Sequence, residues 1–382
     1  MFAPRNSYGT PIDLRYAKLR VINEVATEIL QTKGQSDTHP ALSPNDEFAG
    51  FEKQYSHMIG TNPPVLSKVN YSYVRESLIN GVGYKEYLGV NPFKLGIVAG
   101  ADAHTAFSDN EEFNYTGVHG NLDKTAKIRL SGSGTTAGES AINFGTPGAT
   151  GVWAEENTRG AIFDAIKSKE TFGTSGPLIR LRFFGSWGYP ADLTQNKGFV
   201  EKAYADGVPM GQDLPPHPGK DLAKSPTFAV WALKDPNSGN LDRVQIIKGW
   251  YENGYPQEKV YDVVWSDGRK PDPKTGKLPA VGNTVDIKNA SYTNTIGDNE
   301  LKAVWSDPSF NPTQHAVYYV RVLEIPTPRW STYDAKSLKI APPAGVAATI
   351  QERAWSSPIW YTPDSSLVKK APAYPNLHQI VD

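Results

Sequence analysis

The sequence contains no cysteine. Disulfides, thiolate metal sites and a cysteine nucleophile are therefore excluded. The compartment stays open, because cysteine-free chains suit oxidising and reducing surroundings alike. An excess of basic charge is missing too. Lys and Arg number 39 against 40 Asp and Glu, for a net charge of −1. That balance leaves no surplus to neutralise a phosphate backbone, so no nucleic-acid partner is expected. No apolar run reaches the about 18 residues that suggest a membrane span, so none is expected. The opening MFAPRNSYGTPID lacks a continuous apolar core and does not read as a signal peptide.

Catalytic signatures are equally sparse. There is no Gly-x-Ser-x-Gly elbow to support a serine-nucleophile hydrolase. Neither HExxH nor histidines paired at helical spacing occur, which argues against a zincin. No GxxxxGK[ST] and no properly flanked GxGxxG is present. The Gly-, Ser- and Thr-rich stretch 131–151 therefore reads as a long active-site loop or lid sooner than as a phosphate cradle.

What is present suggests structure. The 382 residues suffice for two domains or one large barrel. With 34 Gly, 30 Pro and 11% aromatic residues, the composition suits a loop-rich, substantially β protein with well-filled cores. The first 177 residues mix helix and strand patterns. Asp13 is a plausible cap for a helix through Leu14, Ala17 and Val21. VATEIL (25–30) either continues that helix or forms a short strand carrying Glu28. The loop that follows holds Asp37, His39 and Asp46. Pro40 restricts His39 to extended backbone, and a lone loop histidine reads first as solvated. His57 beside Met58 reads as structural. Residues 70–88 read as a helix with Gly81 and Gly83 in its middle.

The stretch Asn91 to His104, NPFKLGIVAGADAH, draws the most attention. Its short apolar run reads as a buried strand in a parallel sheet. With the helix before it, it makes half of a βαβ unit. Ligands in such sheets collect beyond the carboxyl ends of the strands. Asp102 and His104 stand there two residues apart, facing one side. A carboxylate and an imidazole so placed make a metal pair, or simply a polar turn after a strand. Glu28, His39 and His119 are further candidates. A hydrolytic metal site draws ligands from several strand ends and activates a bound water, a pattern this scatter fits. Farther on, Asn157-Thr158 caps a helix with Ala161, Ile162, Ala165 and Ile166 on its apolar face. TFGTSGP (171–177) reads as a short strand ending in a tight turn.

From residue 178 the pattern changes to repeated short strands without a convincing helix. FAVWAL (228–233) and RVQIIKGWY (243–251) read as a hairpin with a longer loop. KVYDVVWS, AVWS, HAVYYVRVLEI and SSPIWYT continue the series, which suggests an antiparallel β-sandwich. Trp250, Trp265, Trp305 and Trp330 suit either a sugar-binding platform or a core. Each follows or ends an apolar strand pattern, which favours the core.

Several stretches in order carry a resemblance. They are KGQSDTHPALSPNDEFAGFE (33–52), NPFKLGIVAGADAHT (91–105), WAEENTRGAIFDAIKSKETFGTSGPLIRLRFFG (153–185), and NLDRVQIIKGW with VYYVRVLEIPTPRW and ERAWSSPIWYTP. Together they resemble a bacterial family described as a domain of unknown function, DUF3604. It is related to the PHP-type metallohydrolases and, within them, to carbaryl-hydrolase-like enzymes. The resemblance implies an α/β plus all-β chain: residues 1–177 as the C-terminal part of an incomplete PHP-like distorted (β/α) barrel, 178–362 as a β-sandwich-like domain, and 363–382 as an extended tail. It implies divalent metal ions (Zn, Mn or Fe) and hydrolysis of a phosphoester, ester or amide bond in a small-molecule substrate. Asp102 and His104 would close the ligand set, Glu28 would be a strand-borne carboxylate, and His39 would lie in or beside the site. His119, Thr174 and Ser175 would border the substrate.

Members of that family carry a further N-terminal region with a His-x-His motif, which this sequence lacks. A truncated or rearranged gene, or a partner chain supplying the missing part, is the expectation. Periplasmic or secreted localisation would follow if a full-length protein carries a signal peptide. The competing expectation is a non-catalytic remnant whose β-sandwich serves as a binding or assembly module.

Overall fold

A computed structural model of the chain describes residues 2–53, 69–107, 109–132, 140–219 and 222–367. The readings of His57, of the centre of the 131–151 loop and of most of the 363–382 tail fall outside these residues.

Helix α1 (Leu14–Asn23) starts where Asp13 accepts a hydrogen bond from the Tyr16 amide at 2.7 Å. Such a cap satisfies one of the free N–H groups of the first turn. VATEIL resolves as a strand, β1 (Ala26–Glu28), with Glu28 at its end. A tight hairpin of β2 (Leu30–Gln31) and β3 (Gly34–Gln35) follows, with Lys33 in its turn. Helix α2 (Val74–Leu88) then crosses over and stops at Gly89, whose φ of 72° is left-handed. It leads into β4 (Gly96–Val98), which pairs with β1 in parallel, Glu28 opposite Val98. The βαβ unit is therefore complete, although β4 is shorter than the apolar run around it.

Helix α3 (Ala126–Ser131) precedes β5 (Ala149–Val152). Helix α4 (Arg159–Ser168), capped by Thr158, leads to β6 (Thr171–Thr174). The remaining strands are β7 (Arg180–Ser186), β8 (Val208–Pro209), β9 (Thr227–Leu233), β10 (Leu241–Glu252), β11 (Tyr255–Trp265), β12 (Glu300–Ser306) and β13 (Ala316–Glu324), then β14 (Thr327–Pro328), β15 (Thr349–Ile350), β16 (Arg353–Ser356) and β17 (Ile359–Tyr361). Two short helices interrupt them, α5 (Phe199–Asp206) and α6 (Trp330–Ser337), where no helix was expected. WSTYDAKS is rich in residues of modest helix propensity. Tertiary burial of Trp330, Ser331, Thr332 and Ala335 holds it helical.

Two antiparallel sheets dominate. One runs β11-β10-β13-β16-β6-β5, with β17 also on β13; the other runs β12-β9-β7-β8. Strands β9 and β10 do not form the expected hairpin. β9 pairs with β7 and β12, and β10 with β11 and β13, so their connection passes from one sheet to the other. The larger sheet also takes in β5 and β6, which precede residue 178. Among the described residues there is no closed barrel, and the expected PHP-like barrel is not seen. β1 and β4 form a two-stranded parallel sheet, whereas β5 and β6 pair antiparallel. No helix among the described residues is long and apolar enough to cross a membrane.

The layers follow from the alternation of β13, which is buried on both faces. Tyr318, Val320 and Val322 point at Phe183, Phe228 and Val230 of the smaller sheet and fill the sandwich. Val317 and Tyr319 point the other way, into a core shared with Leu78, Ile79 and Val82 of α2 and Ile97 of β4. The helix can approach that closely because glycines face each other's neighbours. A Cβ on Gly83 would meet the Tyr251 ring at 2.9 Å, and one on Gly249 would meet Ile79 Cγ1 at 2.4 Å. The α/β layer thus lies on the outer face of the larger sheet.

Candidate functional site

Backbone pairing continues past the two parallel strands and sets the site. Ile29 N donates to Val98 O at 2.8 Å, Gly100 N to Leu30 O at 3.0 Å, and Thr32 N to Ala101 O at 3.2 Å. These bonds bring the β2–β3 turn against residues 100–102. Gly100 permits the contact, since a Cβ there would lie 2.5 Å from Glu28 Oε1. Asp102 then adopts a left-handed φ of 48°. Asp tolerates that region better than most residues, and such outliers gather at functional sites.

Four of the candidates lie in this neighbourhood, linked pairwise. Asp102 carries the Lys33 ammonium in an ion pair and lies 3.9 Å from His104 Nε2. Lys33 also donates to Gln31 Oε1 at 3.2 Å, and Gln31 Nε2 donates to Glu28 Oε2 at 3.2 Å. The His104 and His119 rings stack at 5.2 Å, only 12° from parallel. The His104 amide donates to Val118 O at 2.8 Å, which fixes the loop that brings His119 in. His119 in turn packs on Phe144, and its amide donates to Asp123 at 2.9 Å.

The charges are mutually dependent. Burial pushes the Asp102 carboxyl up, but Lys33 and His104 outweigh it and hold it below the usual range. Partial burial raises Glu28, with Asp102 adding to the rise and Gln31 and Lys33 opposing it. His119 is held down by burial against the pull of Asp123, and its Nδ1 is buried without a hydrogen-bond partner. It is therefore a neutral imidazole near pH 7.

The other candidates have partners of their own. His39 Nδ1 accepts from the Ala41 amide at 3.0 Å and its ring lies 5.7 Å from Tyr73. Thr174 ends β6, and its hydroxyl accepts from the Gly176 amide at 3.4 Å. Ser175 is buried: its hydroxyl donates to Glu352 and accepts from the Arg353 amide at 2.8 Å. Of the tryptophans, Trp330 is core, whereas Trp250, Trp265 and Trp305 are half-buried.

The model of DUF3604, a protein family of unknown function, matches residues 1–363. This chain belongs to that family. No curated protein and no solved structure matches it.

In this DUF3604 chain, sequence reasoning missed two kinds of residue. One is Lys33, whose role comes from a turn that only the Gly100 contact brings to Asp102. The other is a carboxyl pair. Glu112 and Glu352 are both buried, and burial, with the Glu112 charge adding to it, pushes the Glu352 carboxyl up. Burial pushes Glu112 up to about 7, with Arg329 pulling it down and Glu52 pushing it up. Glu112 also accepts from Thr146 at 2.9 Å and from the Trp330 amide. The Glu-Glu pair at 111–112 was visible in sequence, but its partner 240 residues away was not.

Two carboxylates and an imidazole are donors that a divalent ion takes. By chemistry, Glu28, Asp102 and His104 suit one. Among the described residues, however, no three His, Asp or Glu side chains converge as a complete ligand group. The cation resting on Asp102 is an ammonium.

Proposed function

We propose that this chain provides one wall of a metal-dependent hydrolase of the PHP type, acting on a small-molecule phosphoester, ester or amide. The observation that carries the reading is that Asp102 and His104, 3.9 Å apart, follow the carboxyl end of β4, with Glu28 ending the parallel-paired β1. A divalent ion (Zn, Mn or Fe) held there would acidify a water for attack. The chain's own residues position its surroundings. Asp102 and Glu28 supply negative charge, His104 an imidazole nitrogen, and Lys33 a cation that holds Asp102 until a stronger one arrives. His119, stacked on His104, fixes the plane of that ring. The remaining ligands would come from outside the described residues or from a partner chain.

Metal analysis tests the reading. The purified chain, dialysed against Mn²⁺ or Zn²⁺, is expected to retain substoichiometric metal that disappears in an Asp102→Ala/His104→Ala variant. Metal content unchanged by that double substitution would sink the assignment.

One observation favours a second reading, a non-catalytic chain whose β-sandwich binds or assembles. The Lys33–Asp102 pair already neutralises the acid that a metal would use. On that reading the retained metal is nil in both proteins.

A further inference from the structure

At the opposite end of β4 lies a separate cavity of about 220 Å³. Lys94 stands two residues before the strand, whereas Asp102 stands four residues after it, so the cavity is independent of the site proposed above. Val82 and Val90 give it an apolar side, and Trp360 an aromatic one. Its polar side is made by Lys85, Lys94 and His315, with Asp213.

The charge there is unbalanced. Lys94 pairs with Asp213 and its ammonium lies 5.3 Å from the centre of the Trp360 ring. Lys169 is close enough for its ammonium to be held down, first by burial and then by Lys94, with Asp213 opposing. Lys85 donates to the Gly89 carbonyl at 2.9 Å and has no carboxylate partner among the described residues. His315 adds no charge: burial, helped by Lys85, pushes it down to about 4. Two ammonium groups, of Lys85 and Lys94, thus face one carboxylate around a partly apolar hollow, and Lys169 lies near Lys94 outside the lining. Lys169 also occupies a left-handed φ of 67° at the end of α4, a position where glycine is usual. Uncompensated cations beside an apolar wall are what an amphiphilic anion needs, since each half of the ligand meets its complement.

We propose that this cavity binds a small organic monocarboxylate, its carboxylate taken by Lys85 and Lys94 and its apolar ring or chain laid against Trp360, Val82 and Val90. Pockets for drug-sized ligands start at about 300 Å³, so the occupant has on the order of ten heavy atoms. His315, neutral and hydrogen-bonding, reads the carboxylate edge without adding charge.

Calorimetric titration with three probes of one shape tests this: benzoate, benzamide and benzylamine. Benzoate is expected to bind saturably, one per chain, about tenfold tighter than benzamide, with no binding of benzylamine. Lys85→Gln and Lys94→Gln should each weaken benzoate about tenfold. Both side chains are partly open to solvent, and circular dichroism of the two variants checks that they fold. Absence of saturable benzoate binding would overturn the proposal. So would equal affinity for benzoate and benzamide, or undiminished benzoate binding in both folded variants. A shift of one indole N–H resonance on adding benzoate, lost in Trp360→Phe, would place the ring against Trp360.

Discussion

Arg321 holds Asp46 through both terminal nitrogens, at 2.9 and 2.7 Å, with the two side chains 0% and 1% exposed. Arg75 joins them, 2.9 Å from Asp46 and 2.9 Å from Asp37. Tyr319 and Trp355 donate to Asp37 at 2.6 and 3.2 Å. Burial pushes Asp37 up, but the two guanidinium groups and Tyr319 outweigh it. This network ties the loop after β3 to the outer face of the larger sheet.

Removing one partner of a buried pair leaves the other charge uncompensated, at a cost of about 3–5 kcal/mol. Arg321→Met should therefore destabilise by that amount in urea unfolding at pH 7. Arg321→Met/Asp46→Asn should recover part of it, because no lone charge remains at that contact. A single-variant loss below about 1 kcal/mol would mean that water reaches the network.

Local chemistry made much of this fold legible. Asp13 and Thr158 cap the helices expected of them, because a cap depends on residues three or four apart. The β1–β4 pair could be anticipated from a helix followed by an apolar run. The partner of β9 could not, since alternation is the same whichever sheet a strand joins. The buried arginines were equally hidden. Arg321 sits in HAVYYVRVLEI like an exposed residue of a half-buried strand, yet its partner lies 275 positions away. The site divides in the same way. The approach of Asp102 and His104, two residues apart, was legible in the sequence, whereas Lys33 reaches Asp102 only through the fold.

Glu112 makes stability depend on pH. Its carboxyl rises from 4.5 to about 7 on folding. The folded chain therefore keeps a proton that the unfolded chain releases, and stability is full below about pH 4.5 and declines up to about pH 7. Glu112→Gln keeps the neutral form's shape, so urea unfolding at pH 5 and pH 7.5 should differ less in the variant than in the parent. Equal differences in the two proteins would show that Glu112 is ionised in the fold. The comparison is needed because Glu324, pushed up to about 8 by burial, slopes the same way.

Lys33→Met separates the two functional readings. The pair it breaks is partly exposed, so stability should change by less than about 1 kcal/mol. Asp102 loses its strongest stabilising partner and its carboxyl should rise towards the ordinary value. If Asp102 is a ligand, removing the competing ammonium should tighten Mn²⁺ or Zn²⁺ about tenfold in calorimetry. Binding that is equally weak with and without Lys33 would leave the non-catalytic reading standing.

Two glycines in equally close contacts should respond differently to alanine. Gly83 lies within α2, where alanine gains about 1 kcal/mol of helix propensity. Its new Cβ, however, would meet the Tyr251 ring at 2.9 Å in a buried core. The ring is packed against its neighbours, and overpacking of this kind costs about 1–3 kcal/mol. Gly83→Ala should therefore destabilise overall, by about 1–2 kcal/mol in urea unfolding. Gly100 meets only the far end of Glu28, at 2.5 Å. That side chain is only partly buried and its carboxylate can swing away, so Gly100→Ala should leave stability within about 0.5 kcal/mol. The consequence falls on the site instead: Glu28 is displaced from Asp102, and retained metal should fall as it does in a Glu28→Ala variant. Full metal retention in Gly100→Ala would remove Glu28 from the ligand wall.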